Sequence, residues 1–182
     1  MAVRRGPCGT DGAGIRFLEL KCKDAAKVGR FYEEIFGSSV FYAEDGQRCA
    51  VCAGPSSVHL VFTTCAAEVL AAEAARASGV HICIYISNFQ TVYDRLAARG
   101  LIWTNPRFVA LDTCDTYAEA AASRQFRFRS IIDLESGEEL LELEHETRTC
   151  RHVQYMKHID WAPRPATISE NARQALDLLR RQ

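Results

Sequence analysis

Residues 17–24, Phe-Leu-Glu-Leu-Lys-Cys-Lys-Asp, decide the fold, because residues 81–88, His-Ile-Cys-Ile-Tyr-Ile-Ser-Asn, repeat their plan. Each stretch is a strand-like run that ends in a residue suited to cap a helix, Asp24 or Asn88. After Asp24, Val28, Phe31, Tyr32 and Ile35 recur at the i, i+3, i+4, i+7 spacing. That spacing puts one apolar stripe on a helix. After Asn88, Phe89, Val92, Tyr93 and Leu96 do the same, and Gly37 and Gly100 close the two helices.

Strand-like segments follow each helix. They are 39–44, 48–53 and 58–63 in the first half, and 102–109, 125–133 and 138–146 in the second. Asp45-Gly46 and Glu135-Ser136-Gly137 are turn signals between strands. The pattern predicts an α+β fold of two tandem β-α-β-β-β modules forming half-barrel sheets around a shared cavity. The expected boundaries are a flexible N-terminus over 1–14, a first module over 15–64, an Ala-rich linking helix over 65–79 and a second module over 80–146. A C-terminal extension over 147–182 follows, with a short helix near its end. Residues 111–123 are expected to form a longer loop that could act as a lid.

Composition limits the function. The chain has 182 residues, of which 48% are hydrophobic and 25% charged. On folding, such a length buries about 70% of the surface of its unfolded chain, so it needs no staples. Lys+Arg number 22 against Asp+Glu 23, net −1. That balance argues against nucleic acid as the main partner. No apolar run reaches the ~20 residues of a membrane span. The eight cysteines fall mostly inside strand-like runs and residues 1–14 hold no secretory apolar region, so free thiols in a reducing compartment, cytoplasmic or organellar, are expected. Cys49-x-x-Cys52 reads as structural.

Strand alternation separates core from cavity. Leu18, Leu20 and Cys22 share one face, and Phe17, Glu19 and Lys21 the other. Ile82, Ile84 and Ile86 oppose His81, Cys83 and Tyr85. The uniformly apolar face should pack on the helix. The mixed face should look away from it, so His59, His81, Glu142, Glu19 and Lys21 are candidates for one concave surface. Two imidazoles and a carboxylate form a divalent-metal set of the kind that holds Fe(II) with open positions, or Zn, Mn or Ni.

The chain resembles the vicinal oxygen chelate superfamily, which includes glyoxalase I, bleomycin-resistance and fosfomycin-resistance proteins and extradiol dioxygenases. The duplicated module carries the resemblance, together with Asp24…Phe31-Tyr32-Glu33-Glu34-Ile35-Phe36-Gly37 and Ile132-Asp133…Gly137…Leu141-Glu142-Leu143. It covers about residues 15–146. It implies a small-molecule metalloenzyme that chelates adjacent substrate oxygens on Fe, Mn, Ni or Zn, in a lyase, isomerase or dioxygenase step. His59, His81 and Glu142 would be the ligands and Glu19 the proton-transfer residue. Phe17, Lys21, Tyr85, Trp103 and Arg127 would line the substrate site, and homodimerisation is implied. Phe17 stands at a first-strand ligand position where it cannot bind metal. The alternative is a metal-free binding or scaffolding protein of the same fold, docking a protein partner through the 147–182 tail, where Tyr155, Met156, Ile159 and Trp161 supply apolar anchors.

Overall fold

The computed structural model describes residues 2–5, 15–53, 58–76, 80–109 and 112–155. The expected terminal helix and three of the tail anchors, Met156, Ile159 and Trp161, lie outside them. The chain divides into two units, and the hairpin tip over 131–141 belongs with the first. No helix among the described residues is long and apolar enough to cross a membrane.

The first unit holds β1 (Ala2–Arg5), β2 (Ile15–Cys22), α1 (Ala25–Phe36), β3 (Val40–Tyr42), β4 (Arg48–Cys52), β5 (His59–Thr64) and α2 (Ala67–Arg76). Its sheet runs in the order β1-β2-β5-β4-β3. Asp24 caps α1 by accepting from the Lys27 N–H at 3.0 Å. Gly37 ends it at φ 70°, a left-handed conformation that glycine adopts without a side-chain clash. The predicted stripe of Val28, Phe31, Tyr32 and Ile35 is buried. Tyr32 meets Phe62 of β5 at 5.4 Å between ring centroids. Cys49 of β4 donates its thiol to the Ala25 carbonyl at 3.1 Å. The apolar strand faces therefore pack on the helix, as alternation requires.

The second unit holds β6 (His81–Ile86), α3 (Phe89–Ala97) and α4 (Tyr117–Ser123), with β7 (Gln125–Ile132) and β8 (Glu139–Thr149) running into it from the hairpin tip. Its sheet order is β6-β8-β7, with an isolated bridge between Ile102 and Phe128 in place of a fourth strand. The two halves thus share one strand order after β1 is set aside. The α3 stripe packs on β7, with Phe89 and Tyr93 at 4.9 and 5.4 Å from the Phe126 ring. His145 of β8 lies on the helix side, fully buried and stacked on Phe128 at 4.1 Å.

The structure corrects five expectations. Asn88 precedes α3, but its side chain makes no capping hydrogen bond to the helix. Residues 2–5, expected to be flexible, pair antiparallel along the outer edge of β2. The segment 102–109 is a strand only at its start. Asn105 and Phe108 close a turn there, the Asn105 side chain accepts from the Arg107 N–H, and Pro106 has no N–H to give a ladder. Residues 117–123 are helical rather than loop, because Thr116 and Glu119 form a reciprocal capping box before an Ala-rich run. Strand β8 runs three residues past the expected end at 146, because β6 pairs with it in parallel up to Ile86↔Thr149.

His145 gives the fold a pH dependence. Burial pushes its imidazole down from 6.5 to about 3. The unfolded chain then binds the extra proton between those values, so stability is full above pH 6.5 and falls as the pH drops toward 3. Between pH 7 and 4.5 the loss from this group should be roughly 2–3 kcal/mol. In His145→Phe, which keeps an aromatic ring against Phe128, urea denaturation at the two pH values should show that loss removed. An unchanged loss in the variant would contradict the assignment.

Candidate functional site

The polar faces of the two sheets differ in what they hold. In the first unit, β2 and β5 run parallel with Phe17 opposite His59, Glu19 opposite Val61 and Lys21 opposite Thr63. Cys52 of β4 lies on the other side of His59. Phe17 and His59 are 2% and 1% exposed. Glu19 is buried and is bound by Lys21 Nζ at 2.8 Å and by the Thr63 hydroxyl at 3.2 Å. The predicted catalytic carboxylate is therefore in an ion pair with the predicted substrate-binding lysine two residues away.

In the second unit, β6 and β8 pair His81 with Glu144, Cys83 with Glu146 and Tyr85 with Arg148. Side chains two apart share a face, so Glu142, Glu144, Glu146 and Arg148 all belong to the polar one. Arg127 of β7 is its centre. Its Nε donates to Asp112 at 2.8 Å and its Nη1 to Glu144 at 2.7 Å, and its Nη2 lies 3.3 Å from Glu146. Asn105 Nδ2 donates to the same Glu144 oxygen at 2.9 Å. Arg148 bridges Glu146 and the Tyr85 hydroxyl, donating to them at 2.7 and 3.2 Å. Arg127 is 5% exposed, Asp112 3% and Glu146 6%. Burial alone pulls the Arg127 guanidinium down, but the Asp112 hydrogen bond and the Glu146 charge outweigh it and hold the group above the ordinary arginine range.

The rim of this face is open. The His81 side chain is half exposed and its Nε2 lies 4.0 Å from Glu146. Cys83 is exposed, and partial burial raises its thiol, so it stays protonated near neutrality. Trp103 lies under the Arg129 guanidinium at 5.2 Å, and Phe108 under Arg127 at 4.9 Å. Cys22 of the first unit is a core thiol instead, pushed up to about 12 by burial.

Of the predicted ligands, His81 reaches the polar face of the second sheet and His59 that of the first. Glu142 shares the His81 face, but it sits two residues before the register partner of His81, about 7 Å along the strand. Its side chain is mostly exposed beside Arg129 at 3.7 Å. Glu144 takes the place on β8 that His59 takes on β5. The residues that sequence reading missed are Asp112, Asn105, Glu144, Glu146 and Arg148. Alternation along β8 marks the two glutamates, and only pairing with β6 says which of them faces His81.

A divalent metal does not fit this face as it stands. The carboxylates that face His81 are already taken by guanidinium groups, and among the described residues no three His, Cys, Asp or Glu side chains are placed to hold one ion.

The chain is similar to several solved structures. One, described as a possible glyoxalase from Bacillus cereus, has 15% identity over 74% of this chain and 97% of its own, with a TM-score of 0.47. A lactoylglutathione lyase from Agrobacterium tumefaciens has 15% identity over 76% and 95%, at 0.40. A virulence protein from Salmonella typhimurium has 19% identity over 74% and 96%, at 0.39. At TM-scores this low the likenesses carry no weight for activity. No family model and no curated protein matches the chain.

The register makes Glu142 and Glu144 unequal. Glu142→Gln removes one end of an exposed pair and should change stability by less than about 0.5 kcal/mol. Glu144→Ala leaves a buried guanidinium short of a partner and should cost about 3 kcal/mol. Chemical denaturation of both variants checks this, and equal effects would contradict it.

Proposed function

We propose that this chain binds a small organic molecule on the polar face of its second sheet and does so without a resident divalent metal. The observation that supports the reading is the state of the carboxylates. Asp112, Glu144 and Glu146 surround one buried guanidinium, and Glu146 also meets a second. Carboxylates paired in this way are not free to coordinate a cation. Phe17 points the same way, because it is an apolar group opposite His59 at the first-strand position. Chelation of vicinal oxygens on a metal, the chemistry implied by the sequence resemblance, is therefore not the mechanism we assign.

The ligand meets the groups at the rim. His81 and Cys83 offer polar contacts on β6, and the Arg129 guanidinium over Trp103 offers a charged and aromatic platform. Such a set suits a small polar molecule with a flat or unsaturated part. The core of the site is held by the Arg127 network, so binding needs little reorganisation.

Metal analysis of the purified full chain by mass spectrometry tests the reading. Wild type and His81→Ala should both carry far less than one Fe, Mn, Ni or Zn per chain. Near-stoichiometric metal in the wild type that falls in His81→Ala would overturn it. A screen of small polar aromatics by amide NMR should give shifts gathered at His81, Cys83, Trp103 and Arg129, and shifts confined to other surfaces would also count against it.

A further inference from the structure

Arg127 stands among three carboxylates from separate parts of the second unit. Asp112 comes from the segment before α4, and Glu144 and Glu146 from alternate positions of β8. Each lies against a different nitrogen of the one guanidinium, at 2.8, 2.7 and 3.3 Å. Carboxylate oxygens are also what a hard cation takes, at the shorter distances of 2.0–2.6 Å, but spread around the guanidinium these three do not close on such an ion. We infer that Arg127 is the residue that keeps divalent cations off this face, its guanidinium acting as the resident cation among Asp112, Glu144 and Glu146. The inference rests on the metal-independent reading above.

Two further observations carry it. The first is charge. Asp112, Glu144 and Glu146 bring three negative charges, and Arg127 and Arg148 bring two positive ones, so the cluster already holds one negative charge in excess. Loss of the Arg127 charge raises that excess to two, the charge of one divalent ion. The second is an oxygen without a partner. Asp112 is 3% exposed, and its Oδ1 has no hydrogen bond among the described residues, while its Oδ2 is held by Arg127. A buried carboxylate oxygen without a donor is costly, and a cation would supply the partner it lacks. His81 Nε2, 4.0 Å from Glu146, adds an imidazole at the rim.

A guanidinium differs from a metal ion in ways that matter here. It spreads one charge over a plane and holds its acceptors through hydrogen bonds near 2.8 Å. It has no open coordination position, and each of its three nitrogens already faces a carboxylate. Arg127 therefore gives the face a fixed positive centre that cannot take substrate oxygens as ligands. The residue decides which chemistry the face supports by deciding which cation it holds.

The test is to remove that cation and offer another. Full-length wild type, Arg127→Met, Arg127→Lys and the double variant Arg127→Met with Glu146→Gln are titrated with Mn2+ and followed by the electron paramagnetic resonance signal of the free ion. Circular dichroism melts with and without Mn2+ run in parallel. Arg127→Met should bind one Mn2+ at least tenfold more tightly than wild type, and its melting temperature should rise with Mn2+. The double variant should lose that gain, and Arg127→Lys, which keeps a positive charge in place, should behave like wild type. If Arg127→Met does not fold in a chelator, Mn2+ should restore its native spectrum. Folded Arg127→Met that binds Mn2+ no better than wild type would overturn the inference, as would a failure of Mn2+ to restore the unfolded variant. Stoichiometric metal in wild type as purified would instead overturn the metal-independent reading, so the two failures are told apart.

Discussion

The contact of one buried guanidinium with three carboxylates fixes the second half of this protein. Ionised groups as buried as Asp112 and Glu146 are tolerated only when paired and hydrogen-bonded. Arg127 supplies the pairing, and it also ties distant segments together. Asp112 and Asn105 bring the chain after Ile102 onto the sheet through Arg127 and Glu144. The Cys114 sulfur accepts from the Arg127 backbone N–H, and the Tyr93 hydroxyl of α3 holds the Cys114 carbonyl at 3.0 Å. The stretch expected to be a lid is thereby pinned to the sheet and to α3, and leads into α4 with its own cap.

The two halves use one topology for two different surfaces. Across the first sheet the row reads Phe17, His59, Cys52. Across the second, His81 pairs with Glu144, which meets Arg127. The backbone arrangement repeats, because each half needs a helix stripe to cover the apolar side of a short mixed sheet. Nothing in that need constrains the opposite face. One face therefore carries a phenylalanine, a histidine and a thiol beside a single Glu19–Lys21 ion pair, and the other a network around Arg127, so the fold alone does not assign a chemistry.

Much of the architecture is legible in the residues themselves. The stripes Val28–Phe31–Tyr32–Ile35 and Phe89–Val92–Tyr93–Leu96, the Asp24 cap and the turn at Gly37 are local signals, and each forms as its pattern demands. The Thr116–Glu119 capping box is local too, and it marks α4 as clearly as Asp24 marks α1. The site is less legible, because it depends on register between strands far apart in sequence. Alternation puts Glu142, Glu144 and Glu146 on one face, but only the parallel pairing of β6 with β8 sets Glu144 against His81. Arg127, between Phe126 and Phe128, is expected at the substrate site and is instead buried in ion pairs. Its burial follows from its contacts with Asp112 and the β8 glutamates, which no local pattern reveals.

Whether Arg127 is the resident cation of this face is read directly from a crystal structure of the full chain grown in millimolar Mn2+, with data collected at a wavelength where manganese scatters anomalously. The Arg127 guanidinium should stand in density between Asp112, Glu144 and Glu146, with no anomalous peak near them. A manganese peak bound to Glu144 or Glu146, with Arg127 turned away, would contradict it.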